Sequence, residues 1–510
     1  MSEEQPTSLL DIALRRASRD PSTVMLFSPT AGDFRASTYG DVLGAAARLA
    51  AVLRAAGVRR GDRVGCYLSN SPSWVVASLA AWLNGAAVGA VGTLLTAPEA
   101  TALFELAETK IVIAAEDAAV LGPGPTVITV DEAGIVSDPV GQMMDVEAEP
   151  LPETDDLALI IFTSATTGFP KGVTHTHADI VAAARRVAAG YARTSDYRPE
   201  PAPARLPPGV VFNPFGHMAG YSRLAFRMWI GRPTVIVPRF TFATVESLLE
   251  RFPMDTLQLT PTMIHMLATA ETALDLGGVK YVTSGTAPLS VDTRDRFEKR
   301  FGVPVMQAYG MTEVGAVSQE RYDDVVAGRR GPGSVGRLAA GVEVEIRHLD
   351  DDRPPGEGEI LVRTDEVSAE FLGGAPVPVD AEGWFATGDV GRLDDGILYV
   401  TGRLQEKIIV GGFNVYPAEV EDAARRSALV EDAVVVGLAD DRLGERPVAG
   451  IVWAGEADGP ALLNELRSWL APYKVPRQTF PIEAVPLTPR DKVDRVRAAL
   501  LADRALGGGK

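Results

Sequence analysis

The sequence predicts an α/β protein with a large N-terminal domain, built from stacked, mostly parallel sheets with helices, and a small α+β C-terminal domain. Three observations support this fold class. The chain has 510 residues, which exceeds the usual size of one domain, about 100–200 residues. Strand and helix patterns alternate over the first 400 residues, and that pattern changes after Gly402.

The alternation is read from apolar runs of strand length that are separated by helical patterns. Such alternation is typical of βαβ units and parallel sheets. The N-terminal segments are a helix over 38–56, a strand over 63–68, a helix over 74–83, a strand over 86–91, a helix over 98–107 and a strand over 111–114. After Gly402 we expect a helix over 419–426, strands over 433–437 and 449–453, and a helix over 459–470.

Composition excludes several classes of protein. Apolar residues make up 46% and charged residues 23% of the chain, as in globular proteins. The net charge of −18 repels phosphate backbones, so we expect no nucleic-acid partner. The single cysteine, Cys66, cannot form an internal disulfide and is expected to be buried. The acidic N-terminus predicts no secretory signal and a cytoplasmic protein.

An uncharged stretch over 64–98 could suggest a membrane span. A spanning helix needs about 20 consecutive apolar residues. Here Asn70, Ser71 and Pro72 interrupt the stretch, and Asn84 with Gly85 interrupts it again. We therefore expect buried strands and a buried helix rather than a membrane span.

The strongest local signal is a loop rich in hydroxyl side chains that follows an apolar run over 157–162. It reads Phe162-Thr-Ser-Ala-Thr-Thr-Gly-Phe-Pro-Lys-Gly-Val173. Hydroxyl and amide groups donate hydrogen bonds and a lysine adds positive charge, which together suit a polyphosphate. The residue order differs from that of a Walker loop. The candidate phosphate contacts are Thr163, Ser164, Thr166, Thr167, Gly168 and Lys171.

Seven further motifs follow this loop in a fixed order. They are Asn213-Pro-Phe-Gly-His-Met-Ala-Gly220, Ser284-Gly-Thr-Ala-Pro-Leu-Ser290, Tyr309-Gly-Met-Thr-Glu313, Gly383-Trp-Phe-Ala-Thr-Gly-Asp389, Gly402-Arg-Leu-Gln-Glu-Lys-Ile408, Gly411-Gly-Phe-Asn-Val-Tyr-Pro-Ala-Glu-Val-Glu421 and Pro486-Leu-Thr-Pro-Arg-Asp-Lys492. Over nearly its whole length the chain resembles the adenylate-forming (AMP-binding) superfamily, which comprises acyl- and aryl-CoA synthetases, carrier-protein adenylation domains and luciferases. The resemblance implies an N-terminal AMP-binding domain over 1–402 and a mobile C-terminal domain over 403–510 that carries the catalytic lysine.

The resemblance also assigns the nucleotide contacts. Tyr309 offers a flat face to adenine, and Asp389 accepts hydrogen bonds from the ribose hydroxyls. Arg403 supports the ribose or the phosphates. Backbone close to the nucleotide is expected at Gly285, Thr286, Ala287 and Gly310.

Adenylation brings two anions together, because a carboxylate attacks the α-phosphorus of ATP and pyrophosphate leaves. Mg²⁺ is the natural cation for the phosphates. The family pattern places its carboxylate ligand at Glu313 and a phosphate contact at Thr312. It gives Lys492 the bridge between the acyl carboxylate and the α-phosphate.

The second half-reaction needs a thiol, for which the resemblance implies CoA. It places His217 at the gate of the acyl pocket, and Gly411, Gly412 and Phe413 along the pantetheine tunnel. The C-terminal domain would rotate about Gln405. For His175 and His177 we expect a helix start near His177 rather than a metal site.

Four positions depart from the family pattern. Ala165 and Thr286 replace glycines, Gln405 replaces the usual Asp or Lys of the hinge, and Asp491 replaces the glycine before the lysine. None of these changes removes a catalytic group.

The leading hypothesis is an acid–CoA ligase that uses ATP and Mg²⁺. Loading of a carrier-protein phosphopantetheine is the alternative, followed by an adenylating enzyme with a non-thiol acceptor, such as an ATP-dependent diazotase. A non-catalytic nucleotide-binding protein is disfavoured because Lys492 and Glu313 are both present. The oligomeric state, monomer or homodimer, stays open.

The substrate is expected to lack an α-amino group. Relatives that activate amino acids place an Asp near the pocket entrance, whereas residues 211–228 contain no Asp or Glu. Phe212, Phe215, Met218 and Tyr221 in this stretch suggest an apolar or aromatic acid.

Overall fold

The structure is a computed structural model of the chain. It describes residues 5–115, 121, 125–132, 151–164, 170–194, 207–270, 274–287, 289, 291–348, 356–365, 367–368, 370–403, 407–486 and 493–506.

The first part of the chain folds largely as the sequence predicts. The strand predicted over 63–68 is β3, and the helices predicted over 38–56, 74–83 and 98–107 are α2, α3 and α4. The elements are α1 (Leu9–Arg19), β1 (Val24–Pro29), β2 (Phe34–Thr38), α2 (Tyr39–Ala55), β3 (Arg63–Leu68), α3 (Pro72–Trp82), β4 (Ala87–Gly92), α4 (Ala97–Leu106), β5 (Ile111–Ala115), β6 (Thr126–Val130), β7 (Leu157–Ser164), β8 (Pro170–Thr176) and α5 (His177–Thr194).

Six of these strands form one sheet in the order β6-β5-β3-β4-β7-β8. Neighbouring strands are parallel as far as β7, and β8 returns antiparallel to β7 at the edge. Cys66 is fully buried in β3, as expected. Helix α5 begins at His177, where Thr176 and Asp179 exchange capping hydrogen bonds. This confirms the helix start predicted from the sequence.

The uncharged stretch over 64–98 is interior structure. It forms β3, α3 and β4, and every residue of α3 is buried. Within the ranges that the structure describes, no helix is both long and apolar enough to cross a membrane.

The middle of the chain begins with alternating strands and helices and ends as a run of strands. Two sheets take part, a four-stranded sheet with the order β2-β1-β10-β9 and a nine-stranded sheet with the order β11-β12-β13-β14-β15-β19-β18-β17-β16. The elements are β9 (Gly209–Val211), α6 (Met218–Ile230), β10 (Thr234–Ile236), α7 (Phe242–Arg251), β11 (Thr256–Gln258), α8 (Pro261–Thr269), β12 (Tyr281–Ser284), α9 (Val291–Phe301), β13 (Val305–Met311), β14 (Gly315–Gln319), α10 (Tyr322–Val326), β15 (Ser334–Leu338), β16 (Glu343–Arg347), β17 (Gly358–Arg363), β18 (Phe385–Asp394) and β19 (Ile397–Arg403).

The predicted alternation is wrong beyond Val305. Strands β11 to β13 are parallel, but all later pairs in this sheet are antiparallel. A parallel pair needs a crossover of a dozen or more residues. The connection from Met311 to Gly315 is far too short for a crossover, so the chain turns back on itself.

The last part of the chain has its own sheet, in the order β21-β20-β23-β22 with β24 beside β23. One of its buried clusters contains only residues between Ile408 and Val475. The domain boundary between residues 402 and 403 stays a prediction. The elements are β20 (Ile408–Val410), β21 (Phe413–Val415), α11 (Pro417–Arg425), β22 (Val430–Asp440), β23 (Gly444–Trp453), α12 (Gly459–Trp469), β24 (Gln478–Pro481) and α13 (Arg495–Leu506).

Candidate active site

The predicted phosphate loop joins the two antiparallel strands at the edge of the six-stranded sheet. In this ladder Thr163 lies opposite Lys171, and Ser164 lies opposite Pro170. The two arms of the loop therefore leave the sheet side by side. Lys171 is exposed, and its Nζ lies 4.7 Å from the ring centre of Phe371.

Two residues that follow β17 hold this loop close to the predicted metal ligand. The backbone N–H of Leu372 donates to the carbonyl of Gly172 at 2.7 Å. The backbone N–H of Ser368 donates to the carbonyl of Glu313 at 2.9 Å. One stretch of chain thus contacts both the strand that ends the phosphate loop and the turn that carries Glu313.

Thr312 and Glu313 occupy the tight turn between β13 and β14, and both are half-buried. The Glu313 carboxylate forms no hydrogen bond or ion pair with any other residue that the structure describes. Over the same residues, no group of three or more potential ligand side chains comes together. A single carboxylate fits Mg²⁺, because this ion is commonly held by one or two carboxylates and by the phosphates of the substrate.

The loop after β12, which the sequence predicts to contact the nucleotide, lies beside β13. In this parallel pair Ser284 lies opposite Gln307, so Gly285 lies next to Ala308. A Cβ at Gly285 would lie 3.1 Å from the Ala308 carbonyl oxygen, which leaves little room for a side chain. Thr286 has a φ of +73°, a conformation that costs a β-branched residue about 1–3 kcal/mol.

Tyr309 and Asp389 meet across the nine-stranded sheet. The Tyr309 hydroxyl donates to Asp389 Oδ2 at 2.6 Å, and Asp389 is only 2% exposed. The ladder between β18 and β19 places the backbone of Arg403 opposite Asp389. Three residues that the family pattern assigns to the nucleoside are therefore neighbours. Gly310 follows in β13, where a Cβ would lie 2.4 Å from the Gly315 carbonyl oxygen.

Gly411 and Gly412 form the tip of the hairpin between β20 and β21. Their φ values are +59° and +92°, and two successive positive φ values are what a tight hairpin turn requires. The tip touches the N-terminal part of the chain. A Cβ at Gly411 would lie 2.8 Å from Thr262 Oγ1, and one at Gly412 would lie 2.9 Å from Thr286 Oγ1.

Phe413, the next residue, packs against His217. Their ring centres are 5.2 Å apart in an edge-to-face arrangement. Phe413 also stacks on Tyr473, with ring centres 4.5 Å apart. Burial lowers the pKa of His217 to about 4, so this imidazole is neutral at pH 7.

The aromatic residues that suggested an apolar or aromatic acid lie in the core. Phe212, Phe215 and Tyr221 are each at most 5% exposed and belong to apolar clusters. The Tyr221 hydroxyl contacts Ser78 Oγ at 2.6 Å and accepts from Trp74 Nε1 at 3.1 Å. These contacts withdraw Tyr221 from any substrate.

A cavity nevertheless opens on the same helix, α6. It has about 450 Å³ of non-protein space, its open mouth included. It is lined by Val187, Arg223, Phe226, Arg227, Arg232, Thr256, Leu257, Gln258, Tyr281, Thr283 and Gln319. This lining is more polar than the sequence led us to expect.

Several predicted site residues lie outside the described residues. They are Thr166, Thr167, Gly168 and Lys492, together with the departures at Ala165, Gln405 and Asp491. For Ser164 and Arg403 only the backbone is described.

The sequence predictions missed two charged residues. The first is Lys474, whose Nζ lies 3.0 Å from Glu99 Oε1 and 2.6 Å from Glu419 Oε1. No local pattern indicates this contact. The second is Arg223, and the stretch 211–228 does contain a signal for it: the lack of Asp and Glu leaves this cation without an acidic partner on its own helix.

The sequence matches two known protein-family patterns. The sequence pattern of the family described as AMP-binding enzyme matches residues 14–372, and that of the AMP-binding enzyme C-terminal domain matches residues 419–492. Two similar proteins are long-chain-fatty-acid–CoA ligase FadD13 of Mycobacterium tuberculosis and feruloyl-CoA synthase of an Amycolatopsis species. The first is 30% identical and aligns over 89% of this chain and 91% of its own length. The second is 32% identical, with coverages of 90% and 92%.

Solved structures with the same fold differ in how closely they superpose. o-Succinylbenzoate CoA synthetase (MenE) of Bacillus subtilis, as a double mutant bound to the product analogue OSB-NCoA, gives a TM-score of 0.83 at 26% identity, covering 97% of this chain and 98% of its own. The same synthetase in complex with AMP gives 0.68 at 26% identity, with coverages of 96% and 97%. The amide bond synthetase McbA of Marinactinospora thermotolerans gives 0.80 at 26% identity, with coverages of 96% and 99%.

Proposed function

Because the chain belongs to the AMP-binding enzyme family, and is of the CoA synthetase type within the adenylate-forming superfamily, we propose that it is an ATP-dependent acid–CoA ligase. In the first step a carboxylate oxygen of the acid attacks the α-phosphorus of ATP. The bond from that phosphorus to the bridging oxygen breaks, and pyrophosphate leaves. In the second step the CoA thiolate attacks the acyl carbon, the bond to the AMP oxygen breaks, and AMP leaves.

The observation that carries this proposal is the position of the hairpin tip. Gly412 lies against Thr286 of the nucleotide loop, while Phe413 lies against His217. The tip therefore contacts both the loop proposed to bind the nucleotide and the histidine proposed to lie at the gate of the acyl pocket. This chain superposes better on MenE with a CoA product analogue than on MenE with AMP, which supports assigning this arrangement to the thiol step.

Nucleotide binding is proposed for the edge formed by β12, β13 and β18. Tyr309 would stack on adenine, and Asp389, which already accepts from the Tyr309 hydroxyl, would accept from ribose. Carboxylates are strong acceptors for such hydroxyls because charge assistance shortens and strengthens the hydrogen bond. Gly285, Thr286, Ala287 and Gly310 would bring the backbone close to the nucleotide, and Arg403 would contact ribose or phosphate.

The triphosphate is proposed to lie between the β7–β8 loop and the turn at Glu313. Thr163, Ser164, Thr166, Thr167, Gly168 and Lys171 would donate to phosphate oxygens, as would Thr312. Glu313 would hold Mg²⁺, which neutralises phosphate charge when bound. The contacts of Ser368 and Leu372 described above keep these two parts at a fixed separation.

Lys492 is proposed to bridge the acid and the α-phosphate during adenylation. It belongs to the C-terminal domain, for which we propose residues 403–510, next to an N-terminal domain over 1–402. Rotation of the smaller domain about Gln405 would exchange Lys492 for the hairpin tip. One site would then carry out two reactions in turn. In the second arrangement Gly411, Gly412 and Phe413 would line the path of the CoA thiol.

For the acid itself we propose a compound without an α-amino group and with an apolar body. The cavity on α6 offers Val187, Phe226 and Leu257 to such a body. No carboxylate is available on α6 to bind an ammonium group. His217, which is neutral at pH 7, would lie at the entrance of this pocket without adding charge.

The proposal is tested by ATP–pyrophosphate exchange and AMP release with a panel of carboxylic acids, with and without CoA. We expect exchange with acid alone and AMP release that rises when CoA is added. If product forms only with a phosphopantetheinylated carrier protein, the acyl acceptor is that protein rather than CoA. AMP release that depends on an amine or on nitrite would show a non-thiol acceptor. Absence of exchange with every acid would refute adenylation.

A further inference from the structure

Arg223 is a half-buried cation that has no ion-pair partner among the described residues. It lies on α6 and lines the cavity described above. Among the residues that the structure describes, no carboxylate forms an ion pair with it, and its guanidinium donates no hydrogen bond. Burial lowers the pKa of Arg223 to about 10, which still leaves it charged at pH 7.

The two other arginines of the cavity are held by the protein. Arg227 donates to the carbonyl of Val210 at 2.9 Å. Arg232 lies 2.5 Å from Asp255 Oδ1. A half-buried guanidinium without such partners gives up part of its hydration and gains no ion pair in return, which costs stability. Unlike these neighbours, Arg223 is therefore available, as far as the described residues go, to bind an anion that enters the cavity.

The cavity contains a second polar atom that lacks a partner. Gln258 Oε1 is buried and accepts no hydrogen bond within the described part of the chain. Rotating this amide by half a turn would present its NH₂ group instead, since the oxygen and nitrogen of an amide are assigned from their surroundings. Arg223 and Gln258 could then both donate to one group of oxygens.

The cavity adjoins the candidate active site along three elements. Arg223 follows His217 by six residues of helix α6, which corresponds to a rise of about 9 Å. Thr283 lines the cavity directly before Ser284 and the nucleotide loop. Gln319 lines it from β14, where it pairs with Ala308 beside Tyr309. An acid that reacts near His217 could therefore extend its far end to Arg223.

Resting on the proposed function, we propose that Arg223 binds a second carboxylate at the far end of the substrate, so that the preferred acids are dicarboxylic. The guanidinium presents N–H groups in a planar fork that matches the two oxygens of a carboxylate. One carboxylate of the substrate reacts with ATP, and the other binds Arg223 and fixes the orientation of the chain between them.

The test compares acids that differ only at the far end. Straight-chain dicarboxylic acids from glutarate to suberate, and terephthalate, are each compared with their monomethyl esters in ATP–pyrophosphate exchange. The ester keeps the length but removes the charge. For the best diacid we expect kcat/KM at least about tenfold above that of its half-ester. In Arg223→Met this ratio should fall to about one, while Arg223→Lys keeps part of it. Ser222→Ala, on the same helix, serves as the matched control.

A second measurement separates substrate recognition from a structural role. Without ligand, Arg223→Met should unfold at the same or a higher temperature than the parent, because it removes an unpaired charge. A lower unfolding temperature together with an equal loss of rate for diacid and half-ester would overturn the proposal. The proposal would also be overturned if the parent enzyme activated half-esters or simple monocarboxylic acids with the same efficiency as diacids. That result would leave the ligase assignment intact. Exchange with no acid at all would instead refute the ligase itself.

Discussion

Lys474 and Glu99 form an ion pair that joins the C-terminal part of the chain to the N-terminal part. The Nζ of Lys474 lies 3.0 Å from Glu99 Oε1, and both side chains are nearly buried. Glu419, from the same part of the chain as Lys474, completes the group at 2.6 Å. Next to Lys474, Tyr473 stacks on Phe413 of the hairpin. The ion pair therefore forms in the arrangement in which the hairpin tip meets His217, and we expect its loss to disfavour that arrangement.

Glu99→Gln should slow thiol transfer without slowing adenylation. Glu99 Oε2 accepts from the backbone and hydroxyl of Thr96 at the start of α4, and a glutamine oxygen can keep that cap. The NH₂ group of the glutamine would then face the Lys474 ammonium, donor against donor, so this ion pair would be lost. The ion pair between Lys474 and Glu419 would remain. We expect the rate of CoA-dependent AMP release from preformed acyl-adenylate to fall about tenfold, equivalent to about 1.4 kcal/mol. Pyrophosphate exchange should stay within about twofold of the parent.

The matched control is Glu105→Gln, an exposed position on the same helix. It should leave both half-reactions unchanged. Equal losses of the two half-reactions in Glu99→Gln would contradict a role confined to the thiol step.

Lys492→Ala should have the opposite effect. If this lysine bridges the two anions only during adenylation, exchange should fall by about 10²–10³. Capture of chemically supplied acyl-AMP by CoA should continue at near the parental rate. Stopped-flow measurement of each half-reaction decides the matter, and an equal loss in both would argue that Lys492 supports the fold rather than the first step.

Tyr309→Phe should weaken ATP binding and stability together. The substitution keeps the ring but removes the hydroxyl that donates to Asp389 at 2.6 Å. Asp389 is 2% exposed, so it would lose a hydrogen bond that water cannot easily replace. We expect the free energy of unfolding in urea to fall by about 1–3 kcal/mol and the KM for ATP to rise. An unchanged urea midpoint would show that Asp389 does not depend on this donor.

Thr286→Gly should stabilise the protein. The φ of +73° at Thr286 is strained for a β-branched residue, whereas glycine adopts it without steric strain. The free energy of unfolding should rise by about 1 kcal/mol, although the loss of Oγ1 beside Gly412 also loosens the hairpin tip. Ala287→Gly, one residue later and without a positive φ, is the control and should be destabilising. A fall in stability for both variants would mean that the Thr286 side chain contributes more than its strain costs.

Stability should decrease between pH 6.5 and about pH 4. Burial lowers the pKa values of His175, His177 and His217 to about 4, below the 6.5 of a free imidazole. In this window the unfolded chain binds more protons than the folded one, so acid favours unfolding. Each buried imidazole can contribute up to about 3 kcal/mol over the full shift.

His177→Phe isolates one of these groups. The ring of His177 packs edge-on against Trp82 at 5.4 Å, and phenylalanine can keep that contact. Urea unfolding as a function of pH should show a shallower slope below pH 6.5 for this variant. Replacing the exposed Val326 by Ala removes no titratable group and should leave the slope as it is. An identical slope for parent and His177→Phe would show that His177 already titrates normally in the folded state.

Local chemistry explains why much of the fold follows from the sequence. Strand β3 has the predicted bounds because its apolar run ends at polar turn residues. Helix α5 begins at His177 because Thr176 and Asp179 cap it within four residues. The order of motifs likewise identifies the family, and the structure brings Tyr309, Asp389 and the backbone of Arg403 together as the motifs imply. The strand and the helix start depend on residues close in sequence, and the family assignment depends on the order of the motifs along the chain.

Tertiary structure alone decided the rest. Glu99 and Lys474 are 375 residues apart, and nothing near either one indicates the other. The aromatic residues around Tyr221 face the core, whereas Arg223, two residues later, faces a cavity, because a helix turns successive side chains to different sides. Beyond Val305 the short connections forced antiparallel pairing where alternation predicted parallel strands. Contacts between distant segments depend on how whole layers pack, and that information is absent from any single stretch of sequence.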